Sequence, residues 1–232
     1  MILQELVKYY DRLAADPNEE IAQTGYSVQQ IGFIVTLEPD GRLFDIRLAD
    51  QDEKGKPRSR KLVVPGQSKP SGAGINPCLF WDNATYMLGL APEGRDLEWT
   101  SKRFEAFRKK HLEIEKQIKD PFFSAVCRFL ESWSPQQASE REGLRDVAVN
   151  FGTFQLRGEI GYLFEQPAVN AWWQSTLAQE ADTADGEAVI GQCLVTGEVA
   201  PIARLHEPAL KPVMGAQAAG AKLVSFNDDA YE

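Results

Sequence analysis

Histidine and cysteine, which carry much of metal and nucleophile chemistry, are scarce in this chain. It has two histidines, His111 and His206, and three cysteines, Cys78, Cys127 and Cys193, in 232 residues. Two histidines exclude a His-rich metal site. No Cys-x-x-Cys pair occurs, so "CLVTGE" around Cys193 is half a zinc knuckle without its partner. Cysteines that are odd in number and far apart argue against a disulfide framework and fit a reducing cytoplasm. No apolar run approaches the roughly 18 residues that mark a membrane span. The opening "MILQELVKYYDRLAADP" lacks a basic n-region and a cleavage site, and reads as an amphipathic helix rather than a signal peptide. A Walker loop and a G-x-S-x-G elbow are also missing. His111 falls on the apolar stripe of a helix and reads as a packed, hydrogen-bonded histidine; His206, before Glu-Pro, reads as a turn residue. Carboxylates such as Asp45, Asp82 and Asp228 are scattered in sequence. The expectation is a protein that is not an enzyme and has no metal or cofactor.

Acid is missing from one place in particular. Between Lys54 and Trp81 there is no Asp or Glu, while Lys54, Lys56, Arg58, Arg60, Lys61 and Lys69 give +6 in a chain of net charge −9, leaving −15 elsewhere. Overall acidity argues weakly against a nucleic-acid partner, because the local field steers phosphate. Five of the cations fall within Lys54–Lys61, enough to meet several phosphates and release their counterions; a cluster of this kind also occurs on ordinary solvated surfaces. After it comes "GQSKPSGAGINP". Gly72 and Gly74 let backbone approach a groove floor closely, Lys69 brings charge, and Gln67, Ser71 and Asn76 bring short groups that donate and accept. Such groups suit the narrow minor groove, with its few distinguishing atoms. The same composition also fits a plain surface loop. One short strand separates basic turn from glycine loop, which predicts that both serve one surface.

Along the chain, residues 2–15 place Leu3, Leu6, Val7, Tyr10 and Leu13 on one helical face. "VQQIGFIVTL" (28–37) and "LFDIRLAD" (43–50) read as strands joined at Asp40-Gly41, a strong hairpin signal. "RKLVVP" follows as a third strand, giving an antiparallel meander with the basic turn at one end. Residues 66–77 form a loop of about a dozen residues, long enough to suggest function. Helix is expected from Thr100 or Ser101 as N-cap, with Phe104, Phe107, His111, Ile114 and Ile118 on its stripe. A second helix spans 121–133, and Ser139 to Glu142 is a capping-box pattern for a third. "FGTFQLRG" (151–158) is a candidate strand and 167–181 a helix. "AVIGQCLVTGE", "APIARLH" and "KLVSFN" are strand-like. The fold class is α+β: an N-terminal helix, an antiparallel sheet meander, a helical insertion and a β-rich C-terminal stretch. The parts are a β-rich part at 1–98 holding the loop, a mostly helical insertion at 99–181 and a β-rich return at 182–232.

The stretch "PSGAGINPCLFWDNATYMLG" (70–89) resembles a motif of the large subunit of the type I-C CRISPR Cascade, a Csd-type CRISPR-associated protein. Members read Ser-Gly and then Phe-Leu-x-Asp-Asn-x-x-Tyr-x-Leu-Gly. Here these are Ser71 and Gly72, Leu79 and Phe80 in inverted order, then Asp82, Asn83, Tyr86, Leu88 and Gly89. A second stretch is similar to another family signature through Thr196-Gly197-Glu198, Leu205-His206, Gly215-Ala216-Gln217, Gly220-Ala221 and Ser225-Phe226-Asn227. "MILQELVKYYDRLA" is also family-like. Members are much longer, so the resemblance makes residues 1–232 the N-terminal domain of a longer large subunit.

The resemblance implies a non-catalytic subunit of an RNA-guided antiviral surveillance complex in the cytoplasm. It would check double-stranded target DNA for the protospacer-adjacent motif (PAM) and help start the R-loop, while guide pairing reads the rest. Implied partners are target DNA, the crRNA at or near its 5′ end, other Cascade subunits, the helicase-nuclease recruited afterwards, and phage anti-CRISPR inhibitors; a membrane is not among them. On this reading Lys69, Ser71, Gly72 and Asn76 touch PAM bases or groove edges and Gln67 is a wedge at the strand-separation point. Lys54, Lys56, Arg58, Arg60 and Lys61 bind phosphates, and Asp82, Asn83 and Tyr86 brace the loop. The alternatives are a scaffold subunit touching crRNA or neighbouring subunits without reading DNA, and a hydrolase with an unrecognised carboxylate site.

Overall fold

The computed structural model describes residues 2–16, 21–66, 69, 74–140, 144, 150–183, 190–193, 196–201 and 214–215. The chain divides into two compact units, one of Met1–Ile21 with Leu177–Glu232 and one of Ala22–Thr176. Helix α1 (Ile2–Ala14) opens the first unit, with Leu6, Val7, Tyr9 and Tyr10 exposed.

The second unit is built on β1 (Tyr26–Leu37), a strand buried almost without interruption from Ile31 to Leu37. Alternate strand residues face opposite sides, so an unbroken buried run means that both faces are covered. β2 (Leu43–Leu48) pairs antiparallel with Phe33–Leu37, and β5 (Arg60–Pro65) pairs antiparallel with Tyr26–Ile31. β7 (Phe151–Leu156) runs parallel to the same strand over Ile31–Leu37. Ile31 partners both Arg60 and Phe151, and a strand residue has only two edges. β5 therefore lies on the edge opposite β7, sharing it with β2. The antiparallel order expected of the first three runs holds pair by pair, with β1 as the strand the other two share. The parallel strand is new. Its chain returns only after the whole helical insertion, a separation that periodicity does not register.

Between β2 and β5 the chain leaves the edge as a small hairpin, β3 (Asp50–Gln51) against β4 (Pro57–Arg58). Asp52 accepts at one carboxylate oxygen from the backbone N–H groups of Lys54 (2.9 Å) and Lys56 (2.8 Å), which closes the turn. At the other end of the sheet, the short β6 (Trp81–Asn83) pairs with β7.

The insertion packs on this sheet through α2 (Ala84–Leu88), α3 (Leu97–Glu115), α4 (Pro121–Ser132) and α5 (Pro135–Glu140). Phe104, Phe107, Phe123, Phe129 and Leu130 join Phe33, Ile34 and Phe154 in one core. Each such side chain contributes about 1.5–3 kcal/mol relative to exposure. α3 begins earlier than expected: its N-cap is Asp96, whose carboxylate accepts the Trp99 N–H at 2.7 Å, not Thr100 or Ser101. Thr100 already lies inside the helix, donating its hydroxyl to Asp96 O. The first helical residue, Leu97, is exposed, so the buried stripe starts a turn after the helix does. Ser139 lies within α5, and Glu142 lies outside the described residues. The residues that meet at the start of α5 are Ser134 and Gln137, whose side chain accepts the Ser134 N–H at 2.9 Å.

The Asp40-Gly41 turn is locked from outside. Arg128 on α4 donates to Asp40 O (3.0 Å) and Pro39 O (2.9 Å). Gly41 has φ +92, and a Cβ there would meet Arg128 Cβ at 2.7 Å and Ala125 O at 2.8 Å. Gly41→Ala is thus both conformationally strained and crowded by helix backbone. A destabilisation of roughly 1–3 kcal/mol is expected from the strain alone, measured by urea unfolding; an unchanged midpoint would mean that the turn yields freely.

After β7 a single 3-10 turn (Leu163–Glu165) leads to α6 (Pro167–Thr183), where Trp173 donates its indole N–H to Gly25 O at 3.0 Å. In the first unit β8 (Ile190–Gln192) and β9 (Val199–Pro201) form a hairpin. "KLVSFN" and most of "APIARLH" lie outside the described residues. The arrangement is α+β: N-terminal helix, mixed sheet, helical insertion, and strands toward the C-terminal end. No helix among the described residues is long and apolar enough to cross a membrane.

Candidate nucleic-acid interface

The glycine loop leaves the sheet at Pro65 and returns at Trp81, and the two stems are tied. The Trp81 indole donates to Pro65 O at 2.9 Å. Gly66 has φ +87, its N–H goes to Gly25 O and its C=O accepts the Ser27 hydroxyl.

Its returning limb is held by side chains. The Asn76 N–H donates to the Tyr86 hydroxyl (3.1 Å), and Asn76 O accepts from the Lys69 ammonium (3.0 Å). Lys110 of α3 donates to Pro77 O at 2.8 Å, and the Cys78 N–H goes to Asp82 at 2.8 Å. The Phe80 N–H is accepted by His111 Nε2 (3.0 Å), and Phe80 O takes the Thr153 hydroxyl (3.0 Å). Phe80 is fully buried with φ 64, a left-handed conformation costing about 1–2 kcal/mol for a residue with a side chain. The rings of His111, Phe123 and Trp172 meet it edge-on and hold it there.

Lys69 and Asp82 form the centre of this arrangement. The ammonium lies 2.5 and 2.6 Å from the two carboxylate oxygens and 3.5 Å from the Tyr86 ring centroid, over its face. The Lys69 side chain is 13% exposed and that of Asp82 0%. Burial pushes the Asp82 carboxyl above its ordinary value, opposed by Lys69 and by the N–H groups of Cys78 and Asn83. Burial, with the Asp82 charge, also pushes the Cys78 thiol up to about 12, so it stays protonated and unreactive. Burial lowers His111 to about 3. With Nε2 accepting from Phe80, His111 donates from Nδ1 to Phe107 O at 2.8 Å. It is therefore a neutral structural link.

Asn76 differs from its neighbours. Both its backbone groups are tied down, yet it is exposed, and its side-chain amide makes no hydrogen bond among the described residues. Ile75 beside it is also exposed, at the edge of an open groove of about 570 Å³ that Phe104, Trp133 and Pro135 help to line.

A family model described as CRISPR-associated protein (Cas_Csd1) matches residues 6–232. The chain belongs to the Cas_Csd1 family. No curated protein matches it. Csd1 is the large subunit of Cascade and a non-catalytic component of CRISPR surveillance. Among the described residues no group of three or more His, Cys, Asp or Glu is placed to hold a metal.

In this Csd1 chain the motif residues from Asp82 to Gly89 have physical tasks. Asp82 takes Lys69 and two backbone N–H groups, that of Asn83 at 2.7 Å. Asn83 is the N-cap of α2, accepting from the Thr85 and Tyr86 N–H groups. Tyr86 holds Asn76 through its hydroxyl and Lys69 through its ring. Leu88 is core, and Gly89 ends α2 at φ 71. Gln67, Ser71 and Gly72 lie outside the described residues. Lys69 does not extend outward; its ammonium is turned into the molecule.

Lys54, Lys56, Arg58, Arg60 and Lys61 are all exposed and form no ion pair among the described residues. They are not one patch, however. Arg60 and Lys61 are successive strand residues and face opposite sides. The hairpin also brings back acid: Asp50 stands opposite Arg58, with Asp52 and Glu53 at the tip. The six residues of β5 set the hairpin and the loop at its two ends, about 20 Å apart. Sequence reasoning missed Lys110, His111 and Thr153 as loop holders. His111 carried a visible signal, a polar residue within an apolar stripe, while Lys110 and Thr153 carried none.

Proposed function

We propose that this Csd1 chain reads the PAM of double-stranded DNA from the minor groove through Asn76, and so helps to initiate the R-loop of a type I-C complex. The observation that carries the reading is the state of Asn76. Its backbone is fixed on both sides, the residue is exposed, and its amide makes no hydrogen bond among the described residues. An amide both donates and accepts, so it can pair with the purine N3 and pyrimidine O2 acceptors or with the G amino group, which are all the minor groove offers. The fixed backbone lowers the ordering cost of binding. The exposed cations of the β3–β4 hairpin and of β5 then meet phosphates roughly one strand length away and set the register. Guide RNA pairing supplies the remaining specificity, with the helicase-nuclease acting on the opened product.

Asn76→Ala in the assembled RNA-guided complex tests this. Affinity for PAM-bearing duplex is expected to fall about 10- to 100-fold, the usual cost of losing one base-pair contact, with little change on a target already opened across its first guide-paired positions. Equal losses on both substrates, or none, would remove Asn76 from PAM reading.

A second reading has its own observation. Asp50, Asp52 and Glu53 stand among the hairpin's cations, which weakens its field toward phosphate and suits a neighbouring subunit or crRNA instead. Replacing Lys54, Lys56 and Arg58 together by Gln separates the two. Phosphate contact predicts that the slope of log affinity against log salt shallows by about 2–3; an unchanged slope assigns the hairpin to the assembly.

A further inference from the structure

We propose that Tyr86 and Lys69 are positioning residues for Asn76, fixing its backbone so that the amide meets the groove in one register, and that Lys69 itself does not touch DNA. This rests on the reading of Asn76 as the PAM contact. Asn76 and its neighbours lie between the end of β5 and the start of β6, so no sheet ladder holds them. What holds Asn76 is a pair of side chains: the Tyr86 hydroxyl on its N–H and the Lys69 ammonium on its carbonyl. These two holders are themselves coupled, because the ammonium lies on the Tyr86 ring and against Asp82.

An ammonium has three donors and no acceptor. In Lys69 they face both Asp82 oxygens and Asn76 O, with Cys78 Sγ at 3.9 Å and the aromatic face beneath. No proton is left for a phosphate or a base. Drawing Lys69 outward would abandon a carboxylate that has no exposed surface, which is among the costlier changes in a folded protein. The cation that the sequence places in the loop therefore shapes the reader and is not part of it. Tyr86, itself 3% exposed, sits on α2 with every residue of that short helix buried, so the support is stiff.

Tyr86→Phe removes only the hydroxyl and keeps the ring under Lys69. In the assembled complex it is expected to weaken binding to PAM-bearing duplex about 3- to 10-fold, leaving binding to the pre-opened target and the melting temperature of the complex unchanged. A purely structural role would lower both substrates together. On an Asn76→Ala background, Tyr86→Phe should cost nothing further, since it acts through Asn76. For Lys69, the pair Lys69→Met with Asp82→Asn removes both charges at once and keeps the site neutral. It should weaken PAM discrimination with the salt slope unchanged, whereas loss of a DNA-contacting lysine shallows the slope by about 1. If Asn76→Ala impairs PAM binding and Tyr86→Phe does not, the positioning role is overturned while the reading of Asn76 stands. A further loss in the double variant, or a shallower slope in the Lys69 pair, overturns it equally. If Asn76→Ala itself has no effect, the underlying reading is what fails.

Discussion

Asp82→Ala is expected to destabilise the Ala22–Thr176 unit by about 3–5 kcal/mol, the range for breaking a buried ion pair from one side. The substitution strands the Lys69 ammonium at 13% exposure and leaves the Cys78 and Asn83 N–H groups without their acceptor. Each part of that loss is a desolvation that water cannot repair inside the loop stem. Lys69→Met alone should cost comparably, because it leaves the carboxylate uncompensated. Combining Lys69→Met with Asp82→Asn should be milder than either single change, since no charge then remains to be buried. Urea unfolding of the four proteins compares these costs directly. A cost below about 1 kcal/mol for Asp82→Ala is the value for an exposed surface pair, and would contradict a buried link at the root of the loop.

The second large effect is in pH. His111 is fully buried and neutral, accepting from Phe80 and donating to Phe107, with its pKa lowered from 6.5 to about 3. Between those values the unfolded chain binds a proton that the folded chain refuses. The folded state thus has its full stability from this group above pH ~6.5 and loses it as the pH falls, at about 1.4 kcal/mol per pH unit. From pH 6.5 to 4 the total is roughly 3 kcal/mol. Asp82 shifts in the opposite sense, because burial raises its pKa and the folded chain takes that proton first. A difference measurement isolates the histidine: His111→Gln keeps an acceptor for the Phe80 N–H and has no titration. The wild-type chain should lose stability relative to His111→Gln as acid is added, while the difference stays flat above pH 7. Parallel curves throughout would mean that His111 is protonated in place or reached by water.

How much of this was legible beforehand differs from element to element. The Asp40-Gly41 turn was readable because its residues have local conformational preferences, and those preferences are what the turn uses. The α4 boundary was also local, set by Asp120 and Pro121 at its start. The α3 start was not, because apolar periodicity registers burial, and the first turn after Asp96 is exposed. β7 was visible as an apolar stretch, but its parallel pairing with β1 was not; pairing partners far apart in sequence leave no mark on either strand. At the site, residues 54–61 announced their charge but not its arrangement, since strand alternation divides Arg60 from Lys61 and register sets Asp50 against Arg58. Lys69 is the clearest case. A lysine in a glycine-rich loop reads as an outward cation, and only the fold brings Asp82 and Tyr86 to it. Asn76 stood in the sequence as one polar residue among several. Its distinction, a backbone fixed by Tyr86 and Lys69 on an exposed residue whose amide makes no hydrogen bond among the described residues, exists only in three dimensions.

The most direct test places a photo-crosslinking side chain at the exposed neighbouring position 75 of the assembled complex, keeping Asn76, and illuminates it on PAM-bearing duplex. Adducts are expected on the PAM base pairs, formed through the minor-groove edge and absent when the PAM is replaced. Adducts confined to crRNA or to neighbouring subunits, or equally abundant without a PAM, would contradict this reading of Asn76.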